Sequence, residues 1–301
     1  MIAGGDRPAD TDQGDRQPWE IHLTVDAAAD AATLLASASG LTKTRVKQVM
    51  QRGAVWWQQG DQVRRLRRAK RQVAAGEQLH LYYDARVLAM EPQAAILIAD
   101  EGSYSVWNKP AGMLSQGSKW GDYATLTRYA EQHLTPERNA FLVHRLDRDA
   151  RGLMVVAHTK SSARELSRQF QHREVTKIYR AQVSGRVPEN SQSIELTEPL
   201  DGKPAQSQVT LLGYDQTLDC SWVSVNILTG RKHQVRRHLA GAGWPIMGDR
   251  RYGESRPEQT AGVDSEPPGL QLVAAELTLT DPQSAELRHY QLPADRVFHT
   301  K

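Results

Sequence analysis

Two short apolar runs, FLV at residues 141–143 and LMVVA at residues 153–157, close on a dense polar knot that contains His144, Arg145 and Asp147. Each run is branched, apolar and bounded by charge or glycine, the pattern of a buried strand. The charged residues then occupy the turn between two core elements. Downstream, SSARELSRQFQHRE reads as a helix and VTKIYRAQVSG (residues 175–185) as a strand with Val175, Tyr179, Ala181 and Val183 on one face. Residues 206–214 and 220–228 give two more strands across a polar turn, and AAILIA with SYSVWNKPAG forms a hairpin across Asp-Glu-Gly. The stretch LTGRKHQVRRHLAGAGWPIMGDRRYG (residues 228–253) predicts a strand ending near Thr229, a turn at Gly230 and a helix over 231–240 that buries Val235 and Leu239. Short connections with few interposed helices predict an α+β domain on a mixed, mainly antiparallel sheet over residues 94–301. Residues 256–268, with their prolines, glycine and acids, read as an exposed insertion.

The upstream pattern differs. A helix over 42–52 carries Val46, Val49 and Met50 as an apolar stripe, with Lys43 and Lys47 on one flank and Arg45 and Arg52 on the other. Residues 41–73 hold ten Lys or Arg against one acid, Asp61, a local charge of +9 in a chain whose net charge is +3. The remainder is therefore net acidic. Basic charge concentrated in this way is the electrostatic footprint of a nucleic-acid binder. Lys43, Arg45, Lys47, Arg64, Arg65, Arg67 and Arg68 are the candidate phosphate contacts, and binding through them weakens with salt because each neutralised phosphate releases counterions.

The chain thus divides into a disordered tail over residues 1–18, a small basic domain over 19–84, a linker over 85–93 and the larger domain over 94–301. At 301 residues there is enough chain for one sizeable core and a small second domain. A hydrophobic content of 39% and a mean hydropathy of −0.58 describe a soluble chain, and no apolar run approaches the roughly 20 residues that span a bilayer. No membrane partner is expected. The tail lacks the apolar segment of a signal peptide, and one cysteine, Cys220, excludes an intramolecular disulfide framework. A monomer in a reducing cytoplasm is the expectation.

Chemistry is expected in the polar knot. Positive charge from neighbouring arginines favours the ionised form of a carboxylate at a core edge, which suits Asp147 to act as a nucleophile rather than a proton donor. An Asp among arginines is nonetheless more often a plain salt bridge. His233 and His238 lie five residues apart without an accompanying glutamate, whereas two ligands on one helix face prefer a spacing of four, so no metal site is expected. With no P-loop, no G-x-G-x-x-G turn and no clustered cysteines, no cofactor is expected either.

The string HRLD followed by xxxxGL resembles the signature of the RNA pseudouridine synthases of the ribosomal large-subunit type, the RluA family. The strand KIYRAQV is similar to that family's K-x-Y-x-A-x-V, and residues 228–253 resemble its T-G-R-x-H-Q-[IV]-R-x-H-L and G-[HW]-P-[IV]-x-G-D-x-x-Y-G signatures. N-K-P-A-G resembles its opening strand. The resemblance covers residues 94–282 or so and implies the pseudouridine synthase fold. It implies Asp147 as the nucleophile, Tyr179 against the target base and Arg236 in an ion pair with Asp147. The implied reaction, rejoining a detached uracil to its ribose through carbon, is an isomerisation that uses no metal or cofactor. His144 and Arg145 become substrate contacts: the target base must leave its stack, and Arg145 either fills the vacated place or binds a phosphate.

Residues 21–83 resemble an S-four-type RNA-binding domain, with a helical opening, the helix TKTRVKQVMQRG and the strand VWWQQGD. RNA is the implied partner, ribosomal ahead of transfer RNA. Two positions depart from the family pattern, Ala150-Arg151 where Thr-Ser is usual and Leu272-Val273-Ala274 where L-H-A is usual. Two rival readings are a sugar-cleaving enzyme, which normally needs a second carboxylate as acid, and a catalytically silent RNA-binding or chaperone protein on the same scaffold. Intact Asp147, Tyr179 and Arg236 speak against the second.

Overall fold

The computed structural model describes residues 17–189, 193–253 and 269–297. The insertion expected at 256–268 and the first sixteen residues of the tail lie outside them. Contacts divide the chain into two compact units, Met1–Gln93 with Gln116–Tyr129, and Ala94–Ser115 with Ala130–Lys301.

The first unit opens on a strand, β1 (Trp19–Thr24), where the resemblance implied a helical opening. The reason is its alternation, which turns Trp19 and Leu23 onto the core and Glu20 and His22 outward. After the short β2 (Ala29–Asp30), α1 (Ala31–Ser39) starts where the Asp30 carboxylate accepts the Thr33 N–H at 2.9 Å and stops at Gly40, whose φ of +76° no β-carbon hinders. Then α2 (Lys43–Gln51), capped by the Thr42 hydroxyl, buries Val46, Val49 and Met50 as its spacing predicts. The strands β3 (Val55–Gln59), β4 (Gln62–Arg65), β5 (Gln72–Val73) and β6 (Gln78–Tyr83) complete an antiparallel sheet of order β1-β6-β3-β4 and a β2-β5 ribbon. Leu79 and Leu81 of β6 are fully buried, each contributing roughly 2 kcal/mol from area removed from water.

The segment read as a linker is structured. Asp84 caps a one-turn α3 (Ala85–Leu88) through the Arg86 N–H, and Leu88 belongs to the same core. Residues 116–129 pack with this unit although the hydrophobic pattern gave them to the larger domain. Asp122 explains this, because it pairs with Arg65 at 3.1 Å and with Arg67 at 2.5 Å, while its N–H donates to the Arg52 carbonyl at 3.0 Å.

In the second unit β7 (Ile96–Asp100) and β8 (Tyr104–Lys109) form the expected hairpin. Along the chain follow α4 (Leu126–His133), whose residues 126–129 belong to the first unit, β9 (Phe141–Leu142), β10 (Arg151–Ala157), α5 (Lys160–His172), β11 (Thr176–Ser184), β12 (Ile194–Leu196), β13 (Ser207–Asp215), β14 (Cys220–Ile227), α6 (Gln234–Gly241), β15 (Leu272–Thr280) and β16 (Leu287–Gln291). The sheet order is β12-β13-β14-β11-β15-β10-β8-β7, with β9 paired to β10 and β16 to β15. Among the described strands only β10 and β15 pair in parallel, so the architecture is α+β on a mixed, mainly antiparallel sheet. The helix α6 begins three residues later than its periodicity predicts. His233 adopts a left-handed φ of +54° just before it and breaks the pattern.

One glycine is dictated by the parallel pairing. Gly152 of β10 has a φ of +117°, and a β-carbon there would stand 2.3 Å from the Ala274 carbonyl oxygen and 2.5 Å from its nitrogen. Because both atoms are backbone of β15, nothing flexible can yield. Gly152→Ala is expected to destabilise the protein by at least about 2 kcal/mol through strain and displacement of the strand, read as a lower midpoint in urea unfolding.

Candidate active site

The polar knot forms the loop between β9 and β10, and its two neighbours in the chain hold Asp147 in place. Ser115 accepts the Leu146 N–H at 3.1 Å and donates to the Leu146 carbonyl at 2.7 Å. On the other side the Gly112 N–H donates to the Arg148 carbonyl at 2.8 Å. Lys109, fully buried, donates its ammonium to the carbonyls of Pro110, Met113 and Arg148 at 2.9, 2.9 and 3.1 Å. Burial pulls this amine down to about 8 even though Asp149 and Asp147 pull the other way. The loop therefore hangs on a cation inside a cage of backbone oxygens.

Asp147 itself is 26% exposed. One carboxylate oxygen accepts from the Arg236 Nη1 at 3.3 Å, and the other lies 3.7 Å from the His233 Nε2. Arg236, on α6, spends its stronger bonds elsewhere: its Nε and Nη2 form a bidentate pair with Asp249 at 2.8 and 2.7 Å. The Asp249 bond first, against burial, raises the guanidinium above its ordinary value. Burial works against the charge of Asp249, but Arg236 and the N–H groups of Arg251 and Tyr252 outweigh it and hold its carboxyl below the usual range. His233, at the foot of α6, hydrogen-bonds the Tyr252 hydroxyl through Nδ1 at 2.9 Å, and burial keeps its imidazole below its ordinary value although Asp147 opposes this.

Tyr179 stands on β11 opposite Val225 of β14 and Ala274 of β15, just past a bulge at Ile178 that turns it onto the core around Ala181 and Val225. Burial first and the Asp147 carboxylate second raise its phenol, so it keeps its proton at neutral pH. Asp147, Tyr179 and Arg236 are thus brought together, along with His233. Arg145 is exposed, without a hydrogen bond or ion pair among the described residues. His144 is used differently from the substrate contact expected of it. Its Nε2 accepts the Val155 N–H at 2.9 Å and its ring stacks on Phe170 at 4.2 Å, so it braces the loop against β10 and α5. Among the described residues no group of three His, Cys, Asp or Glu is arranged to hold a metal.

The sequence profile of the RNA pseudouridylate synthase family matches residues 103–241. The dual-specificity RNA pseudouridine synthase RluA of Escherichia coli is 35% identical over 220 residues, 68% of this chain and 95% of that one. This chain belongs to the RluA-type family of RNA pseudouridine synthases. Enzymes of that family are isomerases. A second relative, an RNA pseudouridine synthase of Chloroflexus aurantiacus, is 36% identical over 206 residues, but this chain spans only 63% of its length. The ribosomal large subunit pseudouridine synthase D of Neisseria meningitidis is 33% identical over 230 residues, 69% of this chain and 61% of that one. Human RNA pseudouridylate synthase domain containing 1 shares the fold, with a TM-score of 0.55 at 23% identity over 68% of this chain and 87% of its own.

The departure from the RluA-type pattern at Ala150-Arg151 has a structural use. Ala150 is buried in the core around Val183 and Val225, and Arg151 donates to the Arg296 and Val297 carbonyls at 3.3 and 2.6 Å, tying the start of β10 to a 3-10 turn at Ala294–Arg296. Lys109, His233 and Asp249 were not picked out as active-site residues from sequence. The signal lay in the motifs that contain them, N-K-P, T-G-R-x-H-Q and G-D-x-x-Y.

In the basic unit the seven candidate cations have unequal fates. Arg65 and Arg67 turn onto Asp122, Arg65 also stacking over Trp56 at 4.3 Å. Arg45 donates to the Tyr83 hydroxyl at 2.7 Å, and Arg64 to Gln62 at 2.6 Å. Lys43, Lys47 and Arg68 are exposed, with no hydrogen bond or ion pair among the described residues.

Burial, with Lys177 adding repulsion, holds His144 down at about 3 against an ordinary 6.5. An unfolded His144 binds a proton below pH 6.5 and the folded one does not, so this stabilisation is full above 6.5 and lost as pH falls toward 3. His144→Gln, which keeps an acceptor for Val155, is expected to remove that dependence. Between pH 6.5 and 5 the parent should lose about 1.5 kcal/mol more than the variant in urea unfolding.

Proposed function

We propose that this protein converts specific uridines in structured RNA, ribosomal RNA ahead of transfer RNA, to pseudouridine with Asp147 as the nucleophile. The observation that carries the reading is a quarter-exposed carboxylate fixed by one bond from Arg236, which is itself locked by Asp249, beside a partly buried, protonated Tyr179. The reaction breaks the bond between uracil nitrogen and ribose, turns the base, and rejoins a ring carbon to the same sugar carbon, the ring proton being surrendered at the end. Redox state is unchanged. Asp147 attacks the sugar or the base, or stabilises a cationic sugar while a ribose proton moves. Arg236 orients the carboxylate, the part that a second group plays beside any activated nucleophile. Tyr179 packs on the uracil. A base inside a stack cannot reach this loop, so the target is extruded, and the exposed Arg145 is placed to fill the gap or to bind a phosphate.

The choice of ribosomal RNA is supported by the Neisseria relative, whose name assigns it to the large ribosomal subunit. The basic unit is read as an S-four-like RNA-binding domain, with Lys43, Lys47, Arg64 and Arg68 among its exposed cations. Among the described residues no helix is long and apolar enough to cross a membrane, and Cys220 is a buried free thiol; the reading places the protein in the cytoplasm as a monomer.

Purified protein incubated with unmodified ribosomal RNA transcripts should form pseudouridine, and Asp147→Asn should lower the rate at least about 1,000-fold, with binding retained. Product from neither protein, on RNA that both bind, would leave the silent RNA-binding reading standing.

The salt dependence of binding tests the basic surface. Lys43→Ala, Lys47→Ala and Arg68→Ala combined should reduce the slope of log affinity against log salt by about 2 to 3, since each lost phosphate contact removes roughly 0.7 to 0.9. An unchanged slope would place the RNA elsewhere.

A further inference from the structure

A pocket of about 560 Å³ opens within the first unit between α2, α3 and residue 123. Arg45, Gln48 and Gln51 reach it from α2, Arg52 from the cap that ends α2, Arg86 from α3, and Tyr123 from the segment that Asp122 anchors. Residues 45, 48 and 52 recur at spacings of three and four, so one face of α2 forms a wall. Arg45 shares its donors with the Tyr83 hydroxyl and with Gln48 at 3.1 Å, and among the described residues no carboxylate lies within ion-pair distance of it. Arg52 donates to the Met90 carbonyl at 2.8 Å, pairs with Glu91, and lies over the Tyr123 ring at 4.7 Å. Arg86 is exposed, 3.7 Å from Asp84. The pocket therefore presents an aromatic ring, several guanidinium groups and two side-chain amides.

That combination fits an anion joined to a flat polar ring. We propose that the pocket captures one unpaired nucleotide of the RNA substrate, its phosphate held by Arg45 and Arg86 and its base by the Tyr123 ring and the amides of Gln48 and Gln51. The inference rests on the reading of this protein as an RNA-modifying enzyme. A volume of this order is that of a small-ligand site, roughly 300 to 1,000 Å³, which admits a nucleotide and excludes a duplex. Only an unpaired base can offer its face to a ring and its pairing edge to amide donors and acceptors. Phosphate contacts alone position RNA without telling paired from unpaired. The pocket adds that discrimination to the basic unit.

Fluorescence anisotropy with the full chain and two labelled RNA hairpins tests this, one blunt and one with a 3′ tail of about five unpaired uridines. The parent is expected to bind the tailed hairpin at least about 5-fold more tightly, the worth of one base stacked on an aromatic ring. Tyr123→Ala and, separately, Gln51→Glu should bring the ratio of the two affinities close to one. Gln51 is exposed on α2, so its substitution tests the pocket even where Tyr123→Ala lowers the melting temperature. A parent ratio near one, or a ratio that survives in both variants, would overturn the proposal. Pseudouridine formation by the same parent preparation separates the two readings. Product without tail preference ends the pocket alone, and tail preference without product ends the enzymatic reading alone.

Discussion

The buried guanidinium of Arg236 fixes the geometry around it. Taking such a group out of water costs several kcal/mol unless it is fully paired, and Asp249, 1% exposed, satisfies it with two parallel bonds. Because the fork is planar and bidentate, its remaining nitrogen has one direction left, and Asp147 lies along it at 3.3 Å. The division is unequal in a useful way. A carboxylate held by two short bonds is a structural anion, whereas Asp147 receives one longer bond and keeps lone pairs for another partner. Two carboxylates share one guanidinium, and burial holds His233 below its ordinary value, so Asp147, the more exposed of the two carboxylates, receives the smaller share of the Arg236 charge.

A second constraint acts on the loop rather than on the carboxylate. The Lys109 ammonium gathers carbonyls from both the β8 turn and the loop of Asp147, so Arg148 cannot move without disturbing Pro110 and Met113. His144 does the same at the other end through Val155 and Phe170. Asp147 is thus held from both sides by groups that never touch it, which is how a loop residue acquires the precision of one on a strand.

Fixed-spacing strings made Asp147, Tyr179 and Arg236 legible, and period-2 alternation made β11, β13 and β14 legible to within a residue or two. The partners were not legible for a specific reason. Arg236 and Asp249 lie thirteen residues apart, and Lys109 and Arg148 thirty-nine; no local pattern says which of many carboxylates or carbonyls a buried cation will meet. The helix start was misplaced because residues 231–233 are all polar and carry no apolar position to mark a boundary, while the backbone at His233 is left-handed. β1 was missed because an S-four-like reading supplied helices where WEIHLT alternates as a strand.

Charge was the least faithful guide, because a sequence counts cations and not their partners. Of the ten basic residues between 41 and 73, Arg65 and Arg67 are turned inward to organise Asp122, and Arg52 is bound to Met90 and Glu91. The residues on and just after α2 are sorted by the geometry of that short helix. The 3.6-residue period of α2 sends Val46, Val49 and Met50 into the core, Arg45, Gln48 and Arg52 to the pocket wall, and Lys43 and Lys47 to solvent. A substitution on α2 therefore acts on stability, on the pocket or on long-range attraction according to its angle around the axis, and residues adjacent in sequence act on different ones.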